Sequence, residues 1–114
     1  MSACDRVEHD RIINKLLNNN EFDSQVDLAS DIFKVLGEKN RLRIVLALVN
    51  GELCVYHICE VTNGSQSATS QHLKKLKDHN IVKSRKVGNE VLYSLKDEHI
   101  VSVLNTVLTH LDCK

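Results

Sequence analysis

A mainly α-helical chain with one small β-hairpin is the fold class the sequence predicts, and three observations predict it. Apolar residues recur at helical spacing through most of the 114 residues, and proline is absent. Two β-rich runs, IVKSRKV and EVLYSL, flank the turn dipeptide Gly88-Asn89 and read as a hairpin. That hairpin follows two short helical segments separated by Thr62-Asn63-Gly64-Ser65. Helix, glycine-containing turn, basic helix and hairpin, in that order, spell a winged helix-turn-helix.

The elements follow in order. Val7, Ile12, Ile13, Leu16 and Leu17 predict a first helix over residues 5–18. The polar run NNNEFDSQ, residues 18–25, is expected to be a loop. A second helix over residues 26–36 sets Val26, Ala29, Ile32, Phe33 and Leu36 on one side, with Gly37 as its stop. Asn40 is expected to cap the next helix, RLRIVLALV, whose near-continuous apolar residues place it deep in the core. Asn50-Gly51 marks a turn. The two helices of the helix-turn-helix are expected over residues 55–61 and 67–78. After the hairpin, Ile100, Val103, Leu104, Val107, Leu108 and Leu111 give residues 96–114 the pattern of a closing amphipathic helix.

A chain of this length is one domain, small enough that a partner subunit would help it bury a core. No apolar run approaches the roughly 18 residues of a membrane span. The charged opening, MSACDRVEHDR, lacks the apolar centre of a signal peptide, so a cytoplasmic protein without membrane contact is expected. In that compartment Cys4, Cys54, Cys59 and Cys113 are thiols or metal ligands sooner than disulfides. The formal net charge is zero, but its distribution is uneven. Residues 71–90 carry Lys74, Lys75, Lys77, Lys83, Arg85 and Lys86 against Asp78 and Glu90, while residues 1–60 lean acidic. A basic stripe on the second helix of a helix-turn-helix is the footprint that phosphate contact needs, although an isolated stripe is more often a solvated face. Ser67, Thr69, Ser70 and Gln71 fall in the first turns, where side chains reach base edges. Lys74 and Lys75 are then expected on phosphates, and Arg85 and Lys86 on flanking phosphates or the minor groove. His72 suits packing as well as DNA contact, and His79 suits a C-terminal cap.

The closing helix also carries Asp97, His99, His110 and Cys113. Eleven residues set His99 and His110 about 20° apart around a helix but about 16 Å apart along it, too far for one ion. Antiparallel pairing with a second copy would bring Asp97 and His99 of one chain to His110 and Cys113 of the other, twice by symmetry. Two imidazoles, a carboxylate and a thiolate make a closed tetrahedral set that Zn(II) accepts, with the thiolate admitting Cd(II). Each residue has an inert alternative: Asp97 as an N-cap, His99 as a surface residue, His110 as a C-terminal cap and Cys113 as a tail thiol.

The stretches DIFKVLGEKNRLRIVLAL, GELCVYHI, SATSQHLKKLKDHNIV and KVGNEVLYSL, with Asp97-x-His99 and His110-x-x-Cys113, resemble the ArsR/SmtB family of metal-responsive bacterial repressors from about residue 25 onward. The last motif is similar to that of the zinc-sensing branch, where the final position is usually His or Glu and here is Cys. The resemblance implies a homodimer through N- and C-terminal helices that binds an inverted-repeat operator in double-stranded DNA and is released by Zn(II). It divides the chain into a variable arm and first helix, residues 1–24, and a DNA-binding and dimerisation domain, residues 25–114. It further implies a second candidate site at Cys54 and His57, with Cys4 and His9 from the arm, like that of relatives sensing Cd(II) or Pb(II). Tyr56 stands where the arsenic-sensing branch has a second cysteine, which disfavours arsenite. The alternatives are a Cd(II)/Pb(II) sensor at that site and a thiol-redox repressor using Cys54 and Cys59, which are poorly spaced for a disulfide. An enzyme is not expected: a site of four protein ligands leaves no position for water, and no nucleophile–base pair or phosphate loop is present.

Overall fold

A computed structural model of the chain describes residues 6–112, which fall in two compact units divided between Lys34 and Val35. Cys4 and Cys113 lie outside the described residues. No helix among those described is long and apolar enough to cross a membrane.

The first unit holds α1, Arg6–Leu17, and most of α2, Asn20–Leu36. The polar run expected to be a loop is helical from Asn20 onward. The reason is local. Asn19 accepts a hydrogen bond from the Glu21 backbone N–H at 2.9 Å, and Glu21 and Asp23 set negative charge against the positive end of the helix. Only Asn18 and Asn19 separate the two helices. No residue of α1 is buried: Val7, Ile12, Ile13, Leu16 and Leu17 all face solvent in the single chain, as do Val26, Leu28 and Phe33 of α2.

The second unit begins with the last two residues of α2 and continues through α3 (Lys39–Leu48), β1 (Leu53–Cys54), α4 (Val55–Thr62), α5 (Gln66–Asp78), β2 (Val82–Val87), β3 (Glu90–Leu95) and α6 (Glu98–Asp112). Its core is Val35, Leu36, Ile44, Val45, Leu48, Ile58, Leu73, Leu76, Ile81 and Val82, with Leu104 from α6. The depth expected of RLRIVLALV is confirmed at Ile44, Val45 and Leu48; Leu42 and Leu46 are half-buried.

The cap of α3 is Glu38, not Asn40: the Arg41 backbone N–H donates to Glu38 Oε2 at 2.9 Å. Asn40 lies one residue inside the first turn, where its side chain no longer precedes the unpaired N–H groups. That backbone hydrogen bond, chiefly, holds the Glu38 carboxyl below its ordinary value of 4.5. A carboxyl depressed on folding contributes stability above its unfolded pKa and loses that contribution as pH falls through the folded pKa. Glu38→Gln is therefore expected to lower the melting temperature at pH 7, and the gap from wild type to close as thermal melts are taken down through pH 4 and below.

The sheet has the order β1-β3-β2, antiparallel throughout. The hairpin β2–β3 runs from the Val82–Leu95 rung to Val87–Glu90, turning at Gly88 with φ +62°. The short β1, which the sequence did not reveal, adds two rungs, Leu53–Tyr93 and Cys54–Leu92. Between α5 and β2 the chain reverses through Asn80, in the left-handed region at φ +58°. Ile81 N–H bonds to Leu76 C=O and Asn80 N–H to Lys77 C=O, closing the last turn of α5 in a Schellman arrangement. This delivers Ile81 and Val82 into the core at the root of the hairpin.

Candidate nucleic-acid interface and effector sites

Three local interactions set α5 against α4. Asn63, at φ +56°, ends α4 in the left-handed region that asparagine tolerates. Ser65 then caps α5, accepting from the Ala68 backbone N–H at 3.0 Å. Beneath the turn, Thr62 and Thr69 hydrogen-bond through their hydroxyls at 3.1 Å, Thr62 also donating to the Cys59 carbonyl and accepting from the Gly64 N–H. Both threonines are buried, and with this network neither hydroxyl lacks a partner.

That network corrects one expectation. Thr69 is fully buried, so it fastens the two helices together and does not face base edges. Ser67, Ser70, Gln71, Lys74 and Lys75 are exposed, as a DNA-facing surface requires, while Leu73 and Leu76 close the inner face. His72 is half-buried with Nδ1 3.7 Å from Glu38 Oε2, a packing and electrostatic role at the α3 cap. His79 caps α5, its Nδ1 3.0 Å from the Lys75 carbonyl.

On the wing, strand alternation sends Arg85 and Lys86, both expected at flanking phosphates or the minor groove, to opposite faces of β2. Lys77 of α5 donates to Ser84 Oγ at 2.8 Å, so the Ser84 face of β2 turns toward the recognition helix and Lys86 shares it. Arg85 points the other way. Its guanidinium donates two hydrogen bonds, from Nε and Nη2, to the two carboxylate oxygens of Glu52, each at 2.7 Å. Those bonds hold the Glu52 carboxyl below its ordinary range and raise the Arg85 pKa. Lys77 is one of the basic stripe, but its bond to Ser84 is not legible in the sequence, because their i, i+7 relation crosses two element boundaries; Glu52 carries no signal at all, since it meets Arg85 only through the unforeseen β1.

The candidate metal ligands fall into two places. Asp97 precedes α6 and accepts from the His99 backbone N–H at 3.0 Å, with His99 Nδ1 3.2 Å from the same oxygen. Those bonds, the backbone one first, keep the Asp97 carboxyl below its usual range. A ring that donates through Nδ1 presents Nε2 for metal, and Asp97 keeps its second oxygen. His110 lies in the last turn of the same helix. The other place is the start of α4, where buried Cys54 Sγ is 3.2 Å from His57 Nδ1. Cys54 and Cys59 are both free thiols, and Cys59 is half-buried. Among the described residues of one chain, no three His, Cys, Asp or Glu side chains converge on a common point.

Two helices locked at a sharp turn, a basic outer face on the second and an adjoining hairpin define a winged helix-turn-helix DNA-binding protein. Residues 38–84 match the sequence profile described as bacterial regulatory protein, arsR family. A cadmium resistance transcriptional regulatory protein CadC homolog of Staphylococcus aureus is 33% identical over 103 residues, covering 90% of this chain and 84% of that one. The chain belongs to this family of regulators and is not an enzyme. A transcriptional repressor SmtB homolog of Synechocystis sp. is 37% identical over 87 residues, 76% of this chain and 66% of that protein's length. In structure, the homodimeric winged helix-turn-helix DNA-binding domain of Mb0332 from Mycobacterium bovis matches with a TM-score of 0.76 at 24% identity, over 83% of this chain and 88% of that one. That likeness supports the fold.

Proposed function

We propose that the chain is a metal-responsive transcriptional repressor, acting in the cytoplasm, that binds an inverted-repeat operator as a homodimer and is released by Zn(II). Residues 25–114 carry DNA binding and dimerisation in this reading. The effector ion is held between subunits by Asp97 and His99 from one α6 and His110 and Cys113 from the other. The observation that carries the reading is the start of α6: a carboxylate and an imidazole held together on a helix whose Val103, Val107, Leu108 and Leu111 are left exposed by the single chain. An apolar stripe of that length asks for a partner, and a second α6 laid antiparallel supplies both the cover and the missing ligands. The relatives named for SmtB and CadC support a metal as the effector.

DNA contact is assigned to Ser67, Ser70 and Gln71 at base edges and to Lys74, Lys75 and Lys86 at phosphates. In the dimer the two α5 helices need a spacing of about 34 Å, one helical turn, to enter successive major grooves. A metal that favours a different pairing of the α6 helices alters that spacing. By linkage, operator DNA must then weaken metal binding by the same factor.

A second reading is favoured by one contact. The Cys54–His57 pair is already within 3.2 Å, and a thiolate with an imidazole suits Cd(II) or Pb(II), with Cys4 as a further ligand. Titration of the wild type against its operator, without metal and with Zn(II) or Cd(II), tests the whole proposal. Release by Zn(II) is expected. DNA affinity unmoved by either ion would end the metal-responsive reading, and loss of affinity to oxidant under chelation would put a thiol switch in its place.

A further inference from the structure

We propose that Arg85 is a positioning residue for the wing, partnered by Glu52, and not a ligand of the DNA backbone. The proposal rests on the reading of α5 and the wing as the DNA-binding face, and departs from it at this one residue. Three observations carry it. The first is direction: Ser84 is bonded to Lys77 of α5, so its neighbour Arg85 leaves β2 on the face turned away from the recognition helix. The second is commitment: Nε and Nη2 of Arg85 each meet a different oxygen of Glu52 at 2.7 Å, the fork-to-fork geometry that fixes orientation as well as charge. A guanidinium so paired presents little net positive charge to a phosphate.

The third is placement. Glu52 stands immediately before β1, and Cys54, Leu92 and Arg85 share one rung across all three strands. The ion pair therefore ties the two outer strands of the sheet to each other, over β3 and beside a groove of about 340 Å³ lined by Glu52, Lys83, Ser84, Arg85 and Ser94. The two-residue β1 has only two rungs of its own and leads straight into α4, the first helix of the helix-turn-helix. A strut from Glu52 to the wing thus sets the pitch of the hairpin relative to the helices that grip DNA. Both side chains are partly exposed, at 63% for Arg85 and 30% for Glu52, so the pair adds little to overall stability and its loss is read in geometry.

The test compares wild type, Arg85→Ala, Glu52→Gln and the exchanged pair Glu52→Arg with Arg85→Glu. Each is titrated by fluorescence anisotropy, over a range of salt, against a duplex that the wild type enriches from a random-sequence pool. The strut predicts that both single variants bind several-fold more weakly with an unchanged salt dependence, and that the exchanged pair recovers the wild-type affinity. A phosphate contact predicts the reverse. Arg85→Ala would then flatten the plot of log K against log salt by about 0.9, Glu52→Gln would bind more tightly by freeing the guanidinium, and the exchanged pair would stay weak. Any of these, or single variants indistinguishable from wild type, overturns the proposal. If the exchanged pair fails to melt cooperatively, Glu52→Gln decides alone, since the two accounts give it opposite signs. A wild type that enriches no duplex removes the DNA-binding reading itself, an outcome separate from the failure of the variants.

Discussion

Replacing His99 and His110 together with alanine is expected to leave metal-free operator binding intact and to abolish its loss on adding Zn(II). Both side chains are exposed on α6, and neither supports the core of the second unit, so folding and the recognition face should be undisturbed. Coupling between an effector and a second ligand is typically worth 1–3 kcal/mol, which corresponds to about 5- to 150-fold in affinity. The wild type should show a shift of that order in anisotropy titrations, and the double variant none. Cys54→Ser supplies the contrast. If it alone erases the response while the histidine variant keeps it, the effector site moves to the start of α4.

The largest effect on stability is expected from Ile44→Ala. Ile44 is fully buried in α3, within the one apolar core that joins α3, α4, α5 and the root of the hairpin. Truncating such a side chain removes its burial and leaves a void, at a cost of about 2–5 kcal/mol. In a domain of this size that is a large share of the total stability. Chemical denaturation of the variant should show a much lower midpoint with a similar slope. DNA affinity should fall in proportion to the unfolded fraction and recover on cooling toward the temperature of maximum stability. A midpoint within experimental error of wild type would mean that the core can collapse around the missing atoms.

Most of the fold was legible because its signals are local. Helical apolar spacing located α1, α3 and α6 to within a residue or two, and the Gly88-Asn89 dipeptide located the hairpin. The misses have physical causes. The run from Asn20 to Gln25 has a single apolar residue, Phe22, too few to set up a periodicity that marks it as helix; a side-chain cap at Asn19 and acidic first-turn residues start it nonetheless. Strand β1 is two residues long, too short for any alternation, and exists only because β3 offers it a partner. Asn40 is the better cap by residue type, since its side chain is shorter, yet the chain begins to wind one residue after Glu38, so Glu38 is the cap.

The site was readable to a different degree. The basic face of α5 followed from sequence because helical geometry alone distributes its residues. Thr69 did not: a threonine in the first turn looks like a base reader until Thr62, seven residues back across the turn, is found to hold it. Arg85 and Glu52 are 33 residues apart, and no local pattern announces that one neutralises the other. The proposed α6 site is legible only as a spacing in the sequence, since its candidate ligands stand toward opposite ends of one predicted helix.

The division of labour along α5 has a practical consequence. Fastening is done by Thr69, Leu73 and Leu76, all buried, while Ser67, Ser70 and Gln71 are exposed. On the proposed reading, address and anchorage are written in different residues of the same thirteen-residue helix. If the proposed DNA-facing role holds, the three outer positions form a cassette: exchanging them is expected to send the regulator to a new promoter while its fold is carried along unchanged.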